Sequence, residues 1–308
     1  MTPGINAEGQ NFINAMNSIQ ARLNTAQAQL SSGLLVNKPS DAPDELSPIL
    51  QLHAQINQNQ TLQTNLNGAL TTINAAESAL SSSVTLLQNA SSIATEATGL
   101  GQTAGTRLTL AQNVQGLLQQ MVSNANTTVN GSYVFSGDQN QTQLYQLDPA
   151  SSTGVDRLAI ATNTDLVQGP GGIQISASLT SNTIFDDRNP DDTVAPDNVF
   201  SALNGLIVAL QNNDTAGINT AITSLQTSST YMNQQLAFYG TAQDEVNSGV
   251  TTAQNYSVQL QTQLSNLQDA DEATSITQLT QAQTQMQAAL DAQGRIPTTT
   301  LFDVLPAS

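Results

Sequence analysis

The chain has no cysteine, no tryptophan, a single histidine and very few charges. Each shortage removes a class of chemistry. Without cysteine there is no disulfide, no thiol nucleophile and no thiolate metal site. His53 stands alone, which excludes multi-histidine metal centres and leaves one candidate for any histidine-dependent triad. Charged residues make up 9% of the 308 positions, where ordinary soluble domains carry about 25%. Only 6 of those side chains are basic and 23 are acidic, for a formal net charge of -17. Such a balance repels phosphate backbones and anionic lipid, so neither nucleic acid nor a membrane surface is an expected partner. No stretch approaches the roughly 20 apolar residues of a membrane span. The longest, Leu206-Ile207-Val208-Ala209-Leu210, is core-sized. The first residues carry neither a basic region nor an apolar run, so no cleaved secretory signal is expected. An export route that reads an uncleaved N-terminus would leave no such mark. No enzymatic activity and no cofactor are expected.

Polarity comes instead from Gln, Asn, Ser and Thr, interleaved with apolar residues at helical spacing. Phe12, Met16, Ile19, Leu23, Ala26 and Leu30 alternate by four and three, which sets them on one seam of a helix that pairs with a partner. Gly33 is a reasonable stop. Pro39 and Pro43 then break any helix. Helix resumes near Ser47-Pro48, with Ser47 as N-cap, although an Asp41 cap reads equally well. From there Ile49, Leu52, Ile56, Leu66, Leu70, Ile73, Leu80, Val84, Leu87 and Ala94 keep one register. At 1.5 Å per residue that segment would span roughly 70 Å, too long for one compact globule. A third helix carries Ala111, Val114, Leu118, Met121 and Ala125.

The pattern changes near Asn130-Gly131. Residues 133–137, 143–147, 158–161 and 173–176 read as short strands separated by Gly-Asp, Asp-Pro and Gly-Pro-Gly-Gly turns. Helical spacing returns with Val199, Phe200, Leu203, Leu206, Ile207 and Leu210. Asp214 then caps a long segment bearing Ile218, Ala221, Leu225, Met232, Leu236, Leu260, Leu264 and Leu267. Gly240 and Gly249 are expected bends or weak points in it. Ile276, Leu279, Met286 and Leu290 mark the last helix, and the tail after Gly294 reads as loop.

The expected fold is mainly α: a long antiparallel coiled-coil helical rod built from the N- and C-terminal segments, with a small β-rich domain inserted. Its expected parts are an assembly helix and loop (1–45), two halves of the rod (46–129 and 197–268), the inserted domain (130–196), and a C-terminal assembly helix with its tail (269–308). One apolar seam is too little to order an isolated terminal helix, so each chain end needs a partner. The other end, together with neighbouring copies, is the natural one. The expected assembly residues are Phe12, Met16, Ile19, Leu23, Leu30, Ile276, Leu279, Met286 and Leu290. A surface of neutral amides and hydroxyls suits this, because stacked identical faces then bring no like charges together.

Three tempting clusters have plainer readings. His53 sits one residue off the seam and reads as a surface residue. Asp186, Asp187, Asp191, Asp192 and Asp197 could suggest calcium, but they lack EF-hand spacing and read as a solvated loop. Asp269, Asp271 and Glu272 precede an apolar helix, where capping is the better reading than an acid pair.

One resemblance is specific. Gln29-Leu30-Ser31-Ser32-Gly33, followed by Asn37-Lys38-Pro39-Ser40-Asp41-Ala42-Pro43, resembles the N-terminal signature of the flagellin superfamily. The Pro39-Ser40-Asp41 form is closer to the family's hook–filament junction proteins than to filament flagellins. Gly131-Ser132-Tyr133-Val134-Phe135-Ser136-Gly137 is similar to the strand that opens the outer domain of those junction proteins. Asp269-Ala270-Asp271 resembles the acidic turn before the family's last helix, and Leu301-Phe302-Asp303-Val304-Leu305 resembles its short tail. Leu34-Leu35, Glu45 and residues 306–308 depart from the pattern, which keeps filament flagellin as the alternative. A coiled-coil adhesin or phage-fibre protein is the alternative of another class. The resemblance implies an extracellular structural subunit of the bacterial flagellum, exported unfolded by the flagellar type III secretion apparatus with an export chaperone. It further implies a homo-oligomeric ring between a FlgK-type hook-associated protein and flagellin.

Overall fold

A computed structural model describes residues 3–294. The tail motif expected at 301–305 lies outside the described residues. Seven helices and six short strands make up the described chain, in the order α1 (Pro3–Ser32), α2 (Pro43–Ala97), α3 (Ala104–Ala125), β1 (Thr128–Val129), β2 (Ser132–Tyr133), β3 (Tyr145–Leu147), β4 (Val155–Arg157), β5 (Leu166–Gln168), β6 (Gln174–Ser176), α4 (Ser181–Ile184), α5 (Val199–Gln211), α6 (Thr215–Gln268) and α7 (Glu272–Gly294). The fold is mainly α. The chain divides into two compact units, one holding both chain ends (1–58 and 256–308) and the other formed by 59–255. Helices α2 and α6 contribute to both.

In the unit of 59–255 the seam read from sequence is the core. Leu66, Ile73, Leu80, Leu87 and Ala94 of α2 are all buried, against Val114, Met121 and Ala125 of α3 and Ile218, Leu225 and Met232 of α6. The two long helices run antiparallel, as their cross-helix bonds show. The Asn59 amide donates to the Ala253 carbonyl at 2.8 Å, and the Gln243 amide to Asn74 Oδ1 at 2.6 Å. Asn59 is itself buried, so the polar gap in the heptad pattern is filled by a side chain that satisfies a backbone group. Helix α6 runs unbroken through Gly240 and Gly249. A Cβ at Gly249 would meet Leu66 at 3.6 Å and Pro170 at 3.4 Å, ordinary van der Waals contact, so the core beside it leaves room for a small side chain. Asp214 accepts from the Ala216 N–H at 3.0 Å, the expected cap of α6.

Helix α2 begins at Pro43, not at Ser47-Pro48. Pro43 supplies a fixed φ at the first helical position, and Asp44 and Glu45 sit in the first turn, where the helix dipole favours acids. Asp41 does not cap this helix either. Its Oδ2 accepts the N–H groups of Asn37 and Lys38 at 3.0 and 2.7 Å and so closes the preceding loop.

The β-rich segment consists of three antiparallel hairpins, β1–β2, β3–β4 and β5–β6, with Tyr145 opposite Arg157 and Val167 opposite Ile175. Two expected strands are corrected. Of 133–137 only Tyr133 is in a strand, because Val134, Phe135, Ser136 and Gly137 are buried consecutively and cannot alternate between two faces. Residues 158–161 are not a strand; β4 ends at Arg157. The Asn126 side chain occupies the N–H groups of Leu144 and Tyr145 at 3.1 and 3.2 Å, closing that edge of the ladder. Strands β1 and β5 and the short helix α4 carry no periodicity that sequence could show. The hairpins share the helices' core: Phe135 meets Phe185 and Tyr239 edge-on at 5.4 and 6.3 Å, and Tyr145 lies 4.9 Å from Phe200.

Gly137 is the tightest point of this packing. Its φ is 48°, and a Cβ there would stand 1.8 Å from the Asn163 carbonyl oxygen. Gly137→Ala is therefore expected to destabilise the chain by more than about 2 kcal/mol. Urea denaturation followed by circular dichroism checks this, with a midpoint unchanged from wild type as the contrary result.

Candidate assembly interface

The unit that holds both chain ends is built around two turns lying side by side. Helix α1 ends at Ser32, where Gly33 takes φ 72° and its N–H returns to the Gln29 carbonyl at 2.8 Å. A left-handed residue at this position satisfies helix-end carbonyls, and glycine does so without steric cost. Ser32 Oγ donates to the Ala28 carbonyl at 2.8 Å and accepts the Leu34 N–H at 3.1 Å. The next residues pair with the acidic turn from the other end of the sequence. Leu34 and Asp269 form an isolated antiparallel bridge. The Leu35 N–H donates to the Gln268 carbonyl at 2.6 Å, and the Ala270 N–H to the Gly33 carbonyl at 2.9 Å. Gln29 is buried, and its amide donates to the Leu35 carbonyl at 3.2 Å.

The same clasp starts α7. Asp271 accepts the N–H groups of Ala273 and Thr274 at 3.0 and 3.4 Å, and the Thr274 hydroxyl at 2.9 Å. Thr274's hydroxyl above all, with the two N–H groups, holds the Asp271 carboxyl below the usual aspartate range. Asp271 is thus the cap that sequence suggested, while Asp269 accepts the Ser265 hydroxyl and continues the turn.

Because both turns lie together, α1 and α7 run antiparallel and pack on one another. Ile19 and Ala26 are buried on α1, and Ser275 and Ala282 on α7. Phe12, Met16, Leu23, Leu279 and Met286 are half-buried. Leu30, Ile276 and Leu290 are exposed, at 37%, 46% and 52%, and so is Ile13 at 52%. The expected α7 seam is thus corrected in part: Ser275, Leu279, Ala282 and Met286 hold the four–three spacing, and Ile276 and Leu290 lie on its outer edges. Small seam residues let the helices approach closely, and their low hydrophobicity hid them. Gln29 stands in sequence only as the first residue of the Gln29-Leu30-Ser31-Ser32-Gly33 motif. Nothing in the sequence marked it as the residue that ties the turn shut.

The two ends of α2 and α6 complete the unit. Leu52, Ile56 and Leu260 form a second small core with Leu264 and Leu267 against it. His53 is exposed, as expected of a flanking residue. Of the remaining motif residues, Ser31, Pro39 and Ser40 are exposed around the clasp, while Tyr133, Phe135 and Gly137 belong to the other unit. Tyr133 donates its N–H to the Asn140 carbonyl at 2.9 Å.

With this geometry in view, the comparisons with known proteins are decisive. The bacterial flagellin N-terminal helical region matches residues 5–140, and the bacterial flagellin C-terminal helical region matches residues 215–302. The chain belongs to the flagellin family. The two matched regions bring in both turns of the clasp and the helices on either side of it. Flagellar hook-associated protein 3 of Escherichia coli (strain K12) is 28% identical over 278 residues, 86% of this chain and 87% of that protein. Flagellin B of Helicobacter pylori (strain J99) is 29% identical over 147 residues, 47% of this chain but only 28% of that protein. The crystal structure of Xanthomonas campestris FlgL covers 70% of this chain and 99% of its own with a TM-score of 0.58, at 15% identity, a likeness of fold.

The Asp271 cap yields a pH prediction. A carboxyl held below its ordinary value in the folded state stabilises above the ordinary aspartate pKa, and that contribution is lost as pH falls through the lowered value. Hydrogen exchange of the α7 amides is expected to quicken at neutral pH in Asp271→Ala. Measured as protection relative to the intrinsic exchange rate, the variant should also lack the wild type's further loss of protection on acidification below the aspartate range. Identical exchange in the two proteins at neutral pH would remove the cap's role.

Proposed function

We propose that this chain is the structural subunit that joins hook to filament in the bacterial flagellum. The observation that carries this reading is coverage. Similarity to the hook-associated relative extends over nearly the whole of both chains, whereas similarity to the filament flagellin stops after a minor share of that protein. The Pro39-Ser40-Asp41 turn points the same way.

The work of such a subunit is mechanical. Backbone hydrogen bonds across the clasp join the two chain ends, so a load on either end is shared by both. The exposed apolar residues Ile13, Leu30, Ile276 and Leu290 offer contact to neighbouring copies in a ring. The half-buried Phe12, Met16, Leu23, Leu279 and Met286 become fully buried there. Neutral amides and hydroxyls around them let copies pack despite a net charge of -17. A FlgK-type hook-associated protein on one side and flagellin on the other are the partners this reading names. The type III apparatus and an export chaperone provide the way out of the cell. Residues 130–196, with their hairpins, are the outward-facing part in this reading.

Gold-labelled antibody raised against residues 130–196 tests the proposal on intact flagella. A band of label confined to the point where hook meets filament is expected. Label along the whole filament would make the chain a filament subunit, and flagella without label would remove both readings.

A further inference from the structure

The acidic loop between α4 and α5 is not the solvated loop that its sequence suggests. Asp186 is buried, with side-chain exposure of 0%, and meets Arg157 Nε at 2.8 Å and Arg188 Nε at 3.1 Å. Asp192 lies 3.4 Å from Arg157 and 3.7 Å from Arg188. That charge is spent inside the fold. Reactivity lies instead in the neutral amides, at one of three Asn-Gly pairs: Asn67-Gly68, Asn130-Gly131 and Asn204-Gly205. In such a pair the glycine nitrogen can attack the asparagine carboxamide, because no side chain on the glycine shields it. Whether it does so depends on what else holds that nitrogen.

Two of the pairs are locked. Asn67-Gly68 lies inside α2 and Asn204-Gly205 inside α5. An N–H in a helix interior is committed to the carbonyl four residues back, so the backbone cannot swing it toward a side chain. Asn204 is held at its other end too, its amide donating to the Ser152 carbonyl at 2.9 Å. Asn130-Gly131 is the opposite case. It forms the two-residue turn between β1 and β2, whose pairing is limited to Thr128 with Tyr133 and Val129 with Ser132. Both turn residues take positive φ, 52° and 83°, as an Asn-Gly hairpin turn requires. Both are exposed. Among the described residues neither the Asn130 amide nor the Gly131 N–H has a hydrogen-bond partner. A Cβ at Gly131 would meet nothing within 4 Å, so the space around the turn is open as well. A ladder this short is marginal on its own, and its turn opens at little cost.

We infer that Asn130 is a self-modifying site, at which the folded chain converts its own asparagine to aspartate and isoaspartate. The Gly131 nitrogen loses its proton to hydroxide and adds to Cγ of Asn130. The bond from Cγ to the carboxamide nitrogen breaks, and that nitrogen takes up a proton and leaves as ammonia. Nucleophile and carbonyl belong to neighbouring residues, so the step is intramolecular and gains the advantage of proximity. Water then opens the succinimide at one or other carbonyl, giving aspartate or isoaspartate. Water is the only co-reactant. Either product places a new negative charge on a chain already at -17. Isoaspartate also routes the main chain through Cβ and so lengthens a turn whose size fixes the register of Val129 with Ser132. The modified hairpin is therefore looser at the point where α3 gives way to the strands.

The test is timed incubation of the purified full chain at mildly alkaline pH, followed by peptide mapping with mass spectrometry. The exchange of NH for O is expected at position 130, with isoaspartate among the products. It should accumulate at least about tenfold faster there than at positions 67 and 204, because the helices must open before those residues react. The same incubation in urea should bring the three rates together, since the fold no longer separates them. Asn130→Gln should remove the fast conversion and leave the two slow ones unchanged. In the aged wild type, the amides of Val129 and Ser132 should exchange faster than in fresh protein. Equal rates at the three positions of the folded chain would overturn the inference. So would an Asn130 that survives in the folded chain yet converts in urea, because the turn would then be protecting it. None of these readouts depends on assembly into a flagellum.

Discussion

The two backbone hydrogen bonds of the clasp, Leu35 to Gln268 and Ala270 to Gly33, are the constraint on which the unit of the chain ends depends. They join positions more than two hundred residues apart in sequence. Everything near them follows from that closure: the antiparallel course of α1 and α7, the seam they share, and the burial of Gln29 that seals the turn. Most of the stability of an amphipathic helix comes from packing its apolar face and little from propensity alone. Fixing its end against the start of its partner removes much of the entropy that pairing would otherwise have to overcome.

A second principle is the separation of apolar burial from charge. The cores are aliphatic and aromatic, while the surface is mostly amide and hydroxyl. The few ionic groups that are buried are individually accounted for. Arg107, 8% exposed, donates to the Ala97 carbonyl at 3.0 Å and to Asn213, so it neutralises the carbonyl end of α2 where the chain turns back. Asp186 is held by two arginines.

How much of this was legible in the sequence depended on period. Long runs at four–three spacing are legible, because a seam such as Leu66 to Ala94 can be buried in only one way. Helix ends and strands were harder. Pro48 lies inside α2, where a proline normally argues for a start, and the true start at Pro43 shows no apolar residue to mark it. Residues 133–137 look like a strand by composition, yet the close approach of Gly137 to Asn163 turns the chain inward, which is a tertiary fact. At the interface the pattern marks Leu23 and Leu279. It does not mark Ser275 and Ala282, since small residues carry little hydrophobic signal, and the backbone bonds of the clasp carry none. The state of the acidic loop is hidden from sequence for a related reason: Arg157 and Arg188 meet Asp186 and Asp192 from positions whose spacing reveals nothing.

The central claim is that each subunit closes its own two chain ends through the clasp. A chain without cysteine permits a direct test. Leu34 and Asp269 are a non-hydrogen-bonded antiparallel pair, whose Cα atoms in such a ladder lie about 4.5 Å apart, within reach of a disulfide. Leu34→Cys combined with Asp269→Cys should oxidise quantitatively to a bond within one chain, in the monomer and in assembled flagella alike. Cross-links formed only between chains, or two thiols that stay free in both states, would contradict the account.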